Sequence, residues 1–133
     1  MCKYRCEDSD IRIPPKAFLL KRTREILKKY NVRPRKRLSQ NFVVDPKLIR
    51  DFIKYSELEP SKTVVEVGAG IGNLTIHIAK VARKVYAIEM DGRLVEILEK
   101  EVASVCPNVE VVMGDATKLN LDSFKADILI SNT

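Results

Sequence analysis

The sequence is poor in the residues that build metal centres and disulfide frameworks. It has no tryptophan, one histidine (His77) and three cysteines among 133 residues. Cys2 and Cys6 could form half of a metal site, but His77 is remote in sequence, so we expect no bound metal. An odd number of cysteines without a signal peptide, Cys106 being the third, indicates reduced thiols in a cytoplasmic protein.

Long apolar runs are also missing, and charge is unevenly distributed. No stretch approaches the roughly 20 residues of a membrane span. Residues 1–50 carry fifteen Lys or Arg against five Asp or Glu, whereas residues 51–133 carry nine against thirteen. A basic arm joined to an acidic core suggests a polyanionic partner, although a solvated helix surface explains the charge equally well. The length allows one domain with a modest core.

The central motif is the glycine-rich stretch VVEVGAGIGNLT at residues 64–75. Its apolar start predicts a buried strand, and its three alternate glycines let the backbone approach a ligand closely. A helical pattern begins at Asn73. Strand, glycine turn and helix are typical of the nucleotide-binding half of a doubly wound sheet. The dinucleotide fingerprint would require glycine at position 73, so the spacing disfavours a nicotinamide dehydrogenase.

The rest of the chain alternates between strands and helices. Strands are predicted over residues 63–67, 84–89, 109–113 and 126–131. Helices are predicted over residues 16–30, from the Asp45-Pro46 pair to about Ser56, and over residues 73–82 and 92–105. Residues 116–124 have room for one or two helical turns. Such alternation predicts parallel strands in an α/β fold.

Acidic residues follow the second and third strands. Glu89 ends the second strand about 20 residues after the first glycine, where an acid accepts hydrogen bonds from ribose hydroxyls. Asp115, in the pair Gly114-Asp115, follows the third strand and could accept from the amino group of adenine. An exposed strand end or a common turn pair would explain either residue alone. Their coincidence with the glycine turn favours a ligand that contains adenosine.

Several short motifs then carry a specific resemblance. They are the basic run at residues 33–37, LSQNFVVD at 38–45 before a helix, VEVGAGIG at 65–72, IEMD at 88–91, GDA at 114–116 and SN at 131–132. Together they resemble the ribosomal RNA small-subunit adenine dimethyltransferases (the KsgA family). The QNF segment directly before the helix is the specific signal, since many methyltransferases share the other motifs.

This resemblance implies a Rossmann-like class I methyltransferase fold and S-adenosyl-L-methionine as the cofactor. It divides the chain into a basic N-terminal arm, with one helix and the QNF segment, over residues 1–44 and a cofactor-binding domain over residues 45–133. The implied cofactor contacts are Gln40, Asn41, Val43, Gly68, Gly70, Glu89, Met90, Asp115, Ala116 and Asn132. The implied RNA contacts are Arg33, Arg35, Lys36 and Arg37.

The implied activity is dimethylation of adenines in small-subunit ribosomal RNA, with Asn132 opening the catalytic motif N-[LI]-P-[YF]. In the family, the Asn oxygen and the Pro carbonyl accept from the adenine amine while the aromatic ring stacks on the flipped base. The sequence stops at Thr133, before that Pro and aromatic residue. We therefore expect an inactive fragment, truncated after its fourth strand.

The fourth strand is also expected to be a site of self-association. With no fifth strand beside it, strand 126–131 would be an exposed edge on which a second copy can pair.

The alternatives to an enzyme of this family are a non-catalytic module that binds RNA or assists ribosome assembly, and a methyltransferase for another substrate.

Overall fold

The computed structural model describes residues 12–33 and 42–132 of the chain. Its elements in chain order are α1 (Lys16–Lys29), α2 (Pro46–Tyr55), β1 (Thr63–Val67), α3 (Thr75–Val81), β2 (Lys84–Glu89), α4 (Gly92–Ile97), a π-helical segment that directly continues α4 (Leu98–Ala103), β3 (Val109–Met113), a 3₁₀ helix (Leu121–Phe124) and β4 (Ile128–Ser131). From β1 onward strands alternate with helical segments, as the sequence predicts.

The four strands form one parallel sheet in the order β3-β2-β1-β4. Val67 at the end of β1 lies opposite Ile88 of β2 and Ser131 of β4. Glu89 at the end of β2 lies opposite Met113 of β3. The carboxyl ends of all four strands therefore meet at one edge of the sheet, which is where open α/β sheets bind their ligands. The fold is Rossmann-like, with this strand order and ligand edge.

Most predicted boundaries are confirmed. β1, β2 and β3 have the predicted ends, and α1 ends one residue earlier than predicted. α2 begins with Pro46 after Asp45, whose Oδ1 accepts a hydrogen bond of 2.9 Å from the backbone N–H of Lys47. This cap satisfies one of the N–H groups that a helix start leaves unpaired, and proline fits the first helical position because it has no N–H.

The larger differences from the predictions concern α3, β4 and the helix predicted over 92–105. α3 begins at Thr75 rather than at 73. β4 begins at Ile128, and Asp127 just before it contacts the start of β1 through both its backbone and its side chain: its N–H donates to the carbonyl of Thr63 at 2.8 Å, and its Oδ2 accepts from the N–H of Thr63 at 2.9 Å. The predicted helix over 92–105 changes to π geometry at Leu98, a change that apolar periodicity does not encode.

One hydrophobic core joins α1 to the sheet. Leu19, Ile26 and Leu27 of α1 are buried in the same cluster as the strand residues Val64 and Val85. The proposed division of the chain at residue 44 stays a prediction, but this packing ties the helix of the basic arm to the α/β core. Burying apolar surface is the main stabilising contribution to such an arrangement.

The expectation of reduced thiols is wrong for Cys106, which is disulfide-bonded. The number of cysteines in a sequence does not show which of them the fold brings together. Cys106 is fully buried just after the π segment. Across residues 12–33 and 42–132 there is no cluster of three or more potential metal ligands. In the same residues no helix has the length and apolar character that crossing a membrane requires.

Candidate cofactor site

The glycine turn after β1 has the backbone of a ligand-binding loop. Gly68, Gly70 and Gly72 have φ angles of +74°, +62° and +87°. These values lie in the left-handed region, which side chains disfavour. At Gly70 a side chain would also be crowded, because a Cβ there would lie 3.2 Å from Cδ1 of Phe42. The turn is therefore shaped by glycine, and the ring of Phe42 packs directly against it.

Glu89 is held against this turn by both of its carboxylate oxygens. Oε1 accepts from the backbone N–H of Gly70 at 3.0 Å, and Oε2 accepts from the N–H of Asp91 at 3.0 Å. Asp91 in turn caps α4 by accepting from the N–H of Arg93 at 3.0 Å. A carboxylate has about four acceptor positions, so two remain for ligand hydroxyls. The predicted ribose-binding acid is thus oriented by the loop itself.

Asp115 follows the neighbouring strand at the same edge of the sheet. Its Oδ1 accepts from the side-chain hydroxyl of Thr117 at 2.7 Å and from the backbone N–H of Thr117 at 2.9 Å. The hydroxyl bond, followed by the backbone bond, lowers the pKa of Asp115 below its usual value. The carboxylate is therefore ionised at neutral pH, and both bonds fall on Oδ1, which leaves Oδ2 for a ligand.

A small cleft lies between the segment before α2, the glycine turn and the end of β4. Its lining residues are Phe42, Val43, Ala69, Gly70, Ile71, Asn73, Leu74 and Asn132. Asn132 is anchored to the end of β1, since its backbone N–H donates to the carbonyl of Val67 at 3.2 Å. Five of the predicted cofactor residues, Val43, Gly68, Gly70, Glu89 and Asn132, thus lie around one loop.

The remaining predicted residues are placed as follows. Met90 directly follows Glu89 and is 68% exposed, and Ala116 is half-buried beside Asp115. Gln40 and Asn41 lie outside the described residues, as do the predicted RNA contacts Arg35, Lys36 and Arg37. Arg33 is exposed after α1. Further exposed cations along α1 are Lys16, Lys21, Arg24, Lys28 and Lys29.

Two polar residues near the site were not singled out as site residues by the sequence. Glu66 is fully buried in β1, where its Oε1 accepts from the hydroxyl of Thr75 at 2.5 Å. Burial raises the pKa of Glu66 to about 8, against the opposing effect of the Thr75 bond, so its carboxyl is largely neutral at pH 7. A lone acid in an apolar strand is a visible signal for Glu66. Asn73 connects three separate segments, and no sequence pattern indicates that role.

His77, which the sequence offered as the one candidate histidine ligand, is a core residue. It is 4% exposed on α3, and its Nδ1 has no hydrogen-bond partner among residues 12–33 and 42–132. Burial, together with the nearby charges of Lys80 and Arg22, lowers the pKa of His77 to about 4. The imidazole is therefore neutral at physiological pH.

Comparison with known proteins identifies the family of this chain. The family profile described as ribosomal RNA adenine dimethylase matches residues 31–131. The chain belongs to this family. A probable ribosomal RNA small subunit methyltransferase A from Thermococcus gammatolerans is 45% identical over 107 residues, covering 80% of this chain and 37% of the relative. The ribosomal RNA small subunit methyltransferase A from Natranaerobius thermophilus is 37% identical over 112 residues, covering 84% of this chain. The chain thus spans 37% of the length of each of these curated relatives.

Solved structures place the dimethylase family within a wider fold group. A dimethyladenosine transferase from Plasmodium falciparum superposes with a TM-score of 0.60 at 30% identity, covering 67% of this chain and 32% of the other. The 23S rRNA methyltransferase ErmE superposes with a TM-score of 0.54 at 39% identity, covering 59% of this chain and 32% of the other. An RNA methyltransferase from Salinibacter ruber, solved with S-adenosyl-L-homocysteine, shares the fold at 20% identity and a TM-score of 0.57.

Proposed function

We propose that this chain binds S-adenosyl-L-methionine and is the cofactor-binding part of an enzyme that dimethylates adenines in small-subunit ribosomal RNA. The observation that carries the proposal is the Glu89 carboxylate, which the N–H of Gly70 holds at the edge of the glycine turn, at 3.0 Å. In a chain of the dimethylase family, this carboxylate is placed to accept hydrogen bonds from the ribose hydroxyls of the ligand. The glycine backbone beside it lets the ligand approach closely. The proposal includes the cytoplasmic location expected from the sequence.

The residues at the strand ends fit an adenosine-containing ligand. Glu89 has acceptor positions left for two hydroxyls, and the ionised Asp115 presents Oδ2 to an amino group. Gly68 and Gly70 offer backbone without a Cβ, and Val43 and Asn132 line the same cleft. When bound, the cofactor supplies an activated methyl group, so the protein contributes mainly the positioning of the reacting atoms. Gln40, Asn41, Met90 and Ala116 complete the proposed cofactor set.

For the RNA, we propose Asn132 as the catalytic residue and the basic arm as the phosphate-binding surface. Asn132 lines the cleft, and in this proposal its side-chain oxygen accepts from the amino group of a target adenine. Arg33, Arg35, Lys36 and Arg37 follow α1, whose exposed cations extend the basic surface. Cations spaced along one segment favour contacts with phosphates over contacts with bases.

Cofactor binding is tested by calorimetry with S-adenosyl-L-homocysteine and NAD. We expect the first to bind and the second not to bind. Glu89→Ala and Asp115→Ala should each weaken binding about 10- to 100-fold, because a charge-assisted hydrogen bond contributes roughly 1.5–3 kcal/mol. Glu99→Ala, which removes an exposed carboxylate from the π segment, is the matched control. Preferential NAD binding, or unchanged affinity in both site variants, would contradict the proposed site.

RNA binding is tested by its dependence on salt. Affinity for a short adenine-containing RNA should fall steeply as salt rises, because bound cations release counterions from the phosphates. Replacing Arg35, Lys36 and Arg37 together by alanine should flatten the slope of log affinity against log salt by about 2 to 3. The control replaces the three exposed lysines Lys54, Lys118 and Lys125, which removes the same charge elsewhere. Equal slopes for both triple variants would mean that the arm is an ordinary solvated surface.

We also propose that β4 pairs with a second copy of this chain. Within the described sheet β4 pairs with β1 alone, and Leu129 on it is 60% exposed. An apolar edge strand is a template for further pairing. Light scattering across a concentration series should show a mass that rises with concentration for the wild type and stays monomeric for Leu129→Lys. Leu48→Lys, at a 41% exposed leucine on α2, is the control that should still associate. A wild type that stays monomeric at all concentrations would refute this pairing.

A further inference from the structure

Asn73, which follows the glycine turn, makes three side-chain hydrogen bonds within the described residues. It is only 4% exposed. Its Nδ2 donates to Oγ1 of Thr23 at 2.9 Å and to the backbone carbonyl of Val43 at 2.9 Å. Its Oδ1 accepts from the guanidinium of Arg22. Both amide hydrogens are thus used, and the amide oxygen is engaged by a cation.

The orientation of this amide is set by its partners. The hydroxyl of Thr23 donates its own hydrogen to the carbonyl of Leu19 at 2.7 Å, so toward Asn73 it can only accept. The carbonyl of Val43 can also only accept, whereas the Arg22 guanidinium can only donate. The donor side of Asn73 must therefore face Thr23 and Val43, and its acceptor side must face Arg22. A buried network that is satisfied in one orientation holds its members rigidly.

These contacts join segments that are far apart in the sequence. The partners lie 51, 50 and 30 residues away, on α1 and in the segment before α2. The usual role of an asparagine beside a helix start is to cap it, but the cap position of α3 is Leu74, without a side-chain capping bond. The amide of Asn73 therefore serves the connection between segments.

The connection ends at the wall of the cofactor cleft. The Val43 carbonyl is held by Asn73, while the neighbouring Phe42 ring lies 3.2 Å from the place of a Cβ at Gly70. Phe42, Val43 and Val44 are all buried. The position of this segment over the glycine turn thus depends on packing and on one hydrogen bond from Asn73.

We propose that Asn73 is a positioning residue for cofactor binding: it holds the segment Phe42–Val44 over the glycine turn and so shapes the pocket wall. Its effect is transmitted through the Val43 carbonyl. The inference rests on the proposed function, because it assumes that the cleft receives the cofactor.

The test compares variants that break different parts of the network. Asn73→Ala removes all three contacts. Asn73→Asp keeps an acceptor for Arg22 but turns an oxygen toward the Val43 carbonyl. Thr23→Val removes the Thr23 bond to Asn73 and its bond to the Leu19 carbonyl, but leaves the Arg22 and Val43 bonds of Asn73 in place. All variants are compared below their unfolding temperatures, with the Kd for S-adenosyl-L-homocysteine from calorimetry and the Tm from thermal unfolding.

We expect Asn73→Ala and Asn73→Asp to raise the Kd at least 10-fold, and Thr23→Val to lower the Tm while changing the Kd less than twofold. Backbone amide exchange over residues 42–44 should speed up in both Asn73 variants and stay at the wild-type rate in Thr23→Val. Wild-type exchange over these residues in Asn73→Ala would overturn the inference. The inference would also be overturned if the increase in Kd were proportional to the decrease in Tm across all three variants.

The exchange measurement separates this inference from the proposed function. If the wild type itself does not bind S-adenosyl-L-homocysteine, the proposed function fails. The exchange rates of residues 42–44 then still decide whether Asn73 holds the segment in place.

Discussion

Replacing Gly72 by alanine is expected to destabilise the fold by about 3 kcal/mol or more, from backbone strain and overpacking together. Gly72 has a φ of +87°, and a Cβ there would lie 2.4 Å from Cγ2 of Val102 and 3.2 Å from Cδ2 of Leu98. Both neighbours are fully buried in the π segment, so neither can move away freely. Urea unfolding of the two proteins gives the difference directly.

Gly92→Ala is the matched control. Gly92 does not have a positive φ, and an added Cβ would lie 3.4 Å from Cε of Met113, the end of a flexible and exposed side chain. Since Gly92 is the first residue of α4, alanine there should change stability by less than about 1 kcal/mol and can increase it. A Gly72→Ala protein as stable as Gly92→Ala would show that the helix packing against the glycine turn is looser than described.

A double variant separates the two causes. Val102→Ala in the Gly72→Ala background removes the nearest atom but leaves the backbone strain. The coupling between the two changes should therefore be favourable, by about 1–3 kcal/mol. A coupling near zero would assign the whole cost to the φ angle.

The free energy of unfolding is expected to fall as the pH rises from about 4.5 to about 8, because of Glu66. The pKa of this buried carboxyl is raised from 4.5 to about 8, first by burial and to a smaller extent by the charge of Glu89. The folded state therefore keeps a proton that the unfolded state releases. The stability that this group contributes is fully present below its unfolded-state pKa and is lost as the pH rises through its folded-state pKa, a change of about 5 kcal/mol in all.

Glu66→Gln tests this dependence, since the amide stays neutral at every pH. The variant should show a much smaller decline between pH 5 and pH 8. The test compares the pH dependence of Glu66→Gln with that of the wild type, not their absolute stabilities. In the variant the side-chain Nε2 takes the place of Oε2 of Glu66, a buried atom without a partner in the described structure. Glu99→Gln, at an exposed position, should keep the wild-type decline. An equally steep decline in Glu66→Gln would assign the pH dependence to other groups.

The sheet could be predicted because its signal is local. Val64, Val65 and Val67 make a short, β-branched apolar stretch followed by a glycine turn, which favours a buried strand, and the alternation with helices predicts parallel pairing. The positions of the two candidate site acids were predictable for a similar reason. Glu89 and Asp115 stand where their strands end, and parallel strands bring such ends together without any further information.

Other features depended on packing between distant segments. The sequence predicts ordinary helix where the structure has the π segment, because a periodicity near 3.6 does not reveal where an extra residue enters a turn. The disulfide at Cys106 contradicted the expectation from cysteine number, since pairing depends on which thiols the fold brings together.

The sequence by itself thus determined the α/β class, the order of its elements and the family, since these depend on local patterns and on motifs at fixed spacing. Only the tertiary structure decided the roles of Asn73 and Glu66. Asn73 appears in the sequence merely as the absence of a glycine, and its partners are 30 to 51 residues away. Glu66 is visible as an acid within a strand, but its neutrality arises from complete burial. Hydrogen-bond partners and desolvation are properties of the assembled core, so no local pattern encodes them.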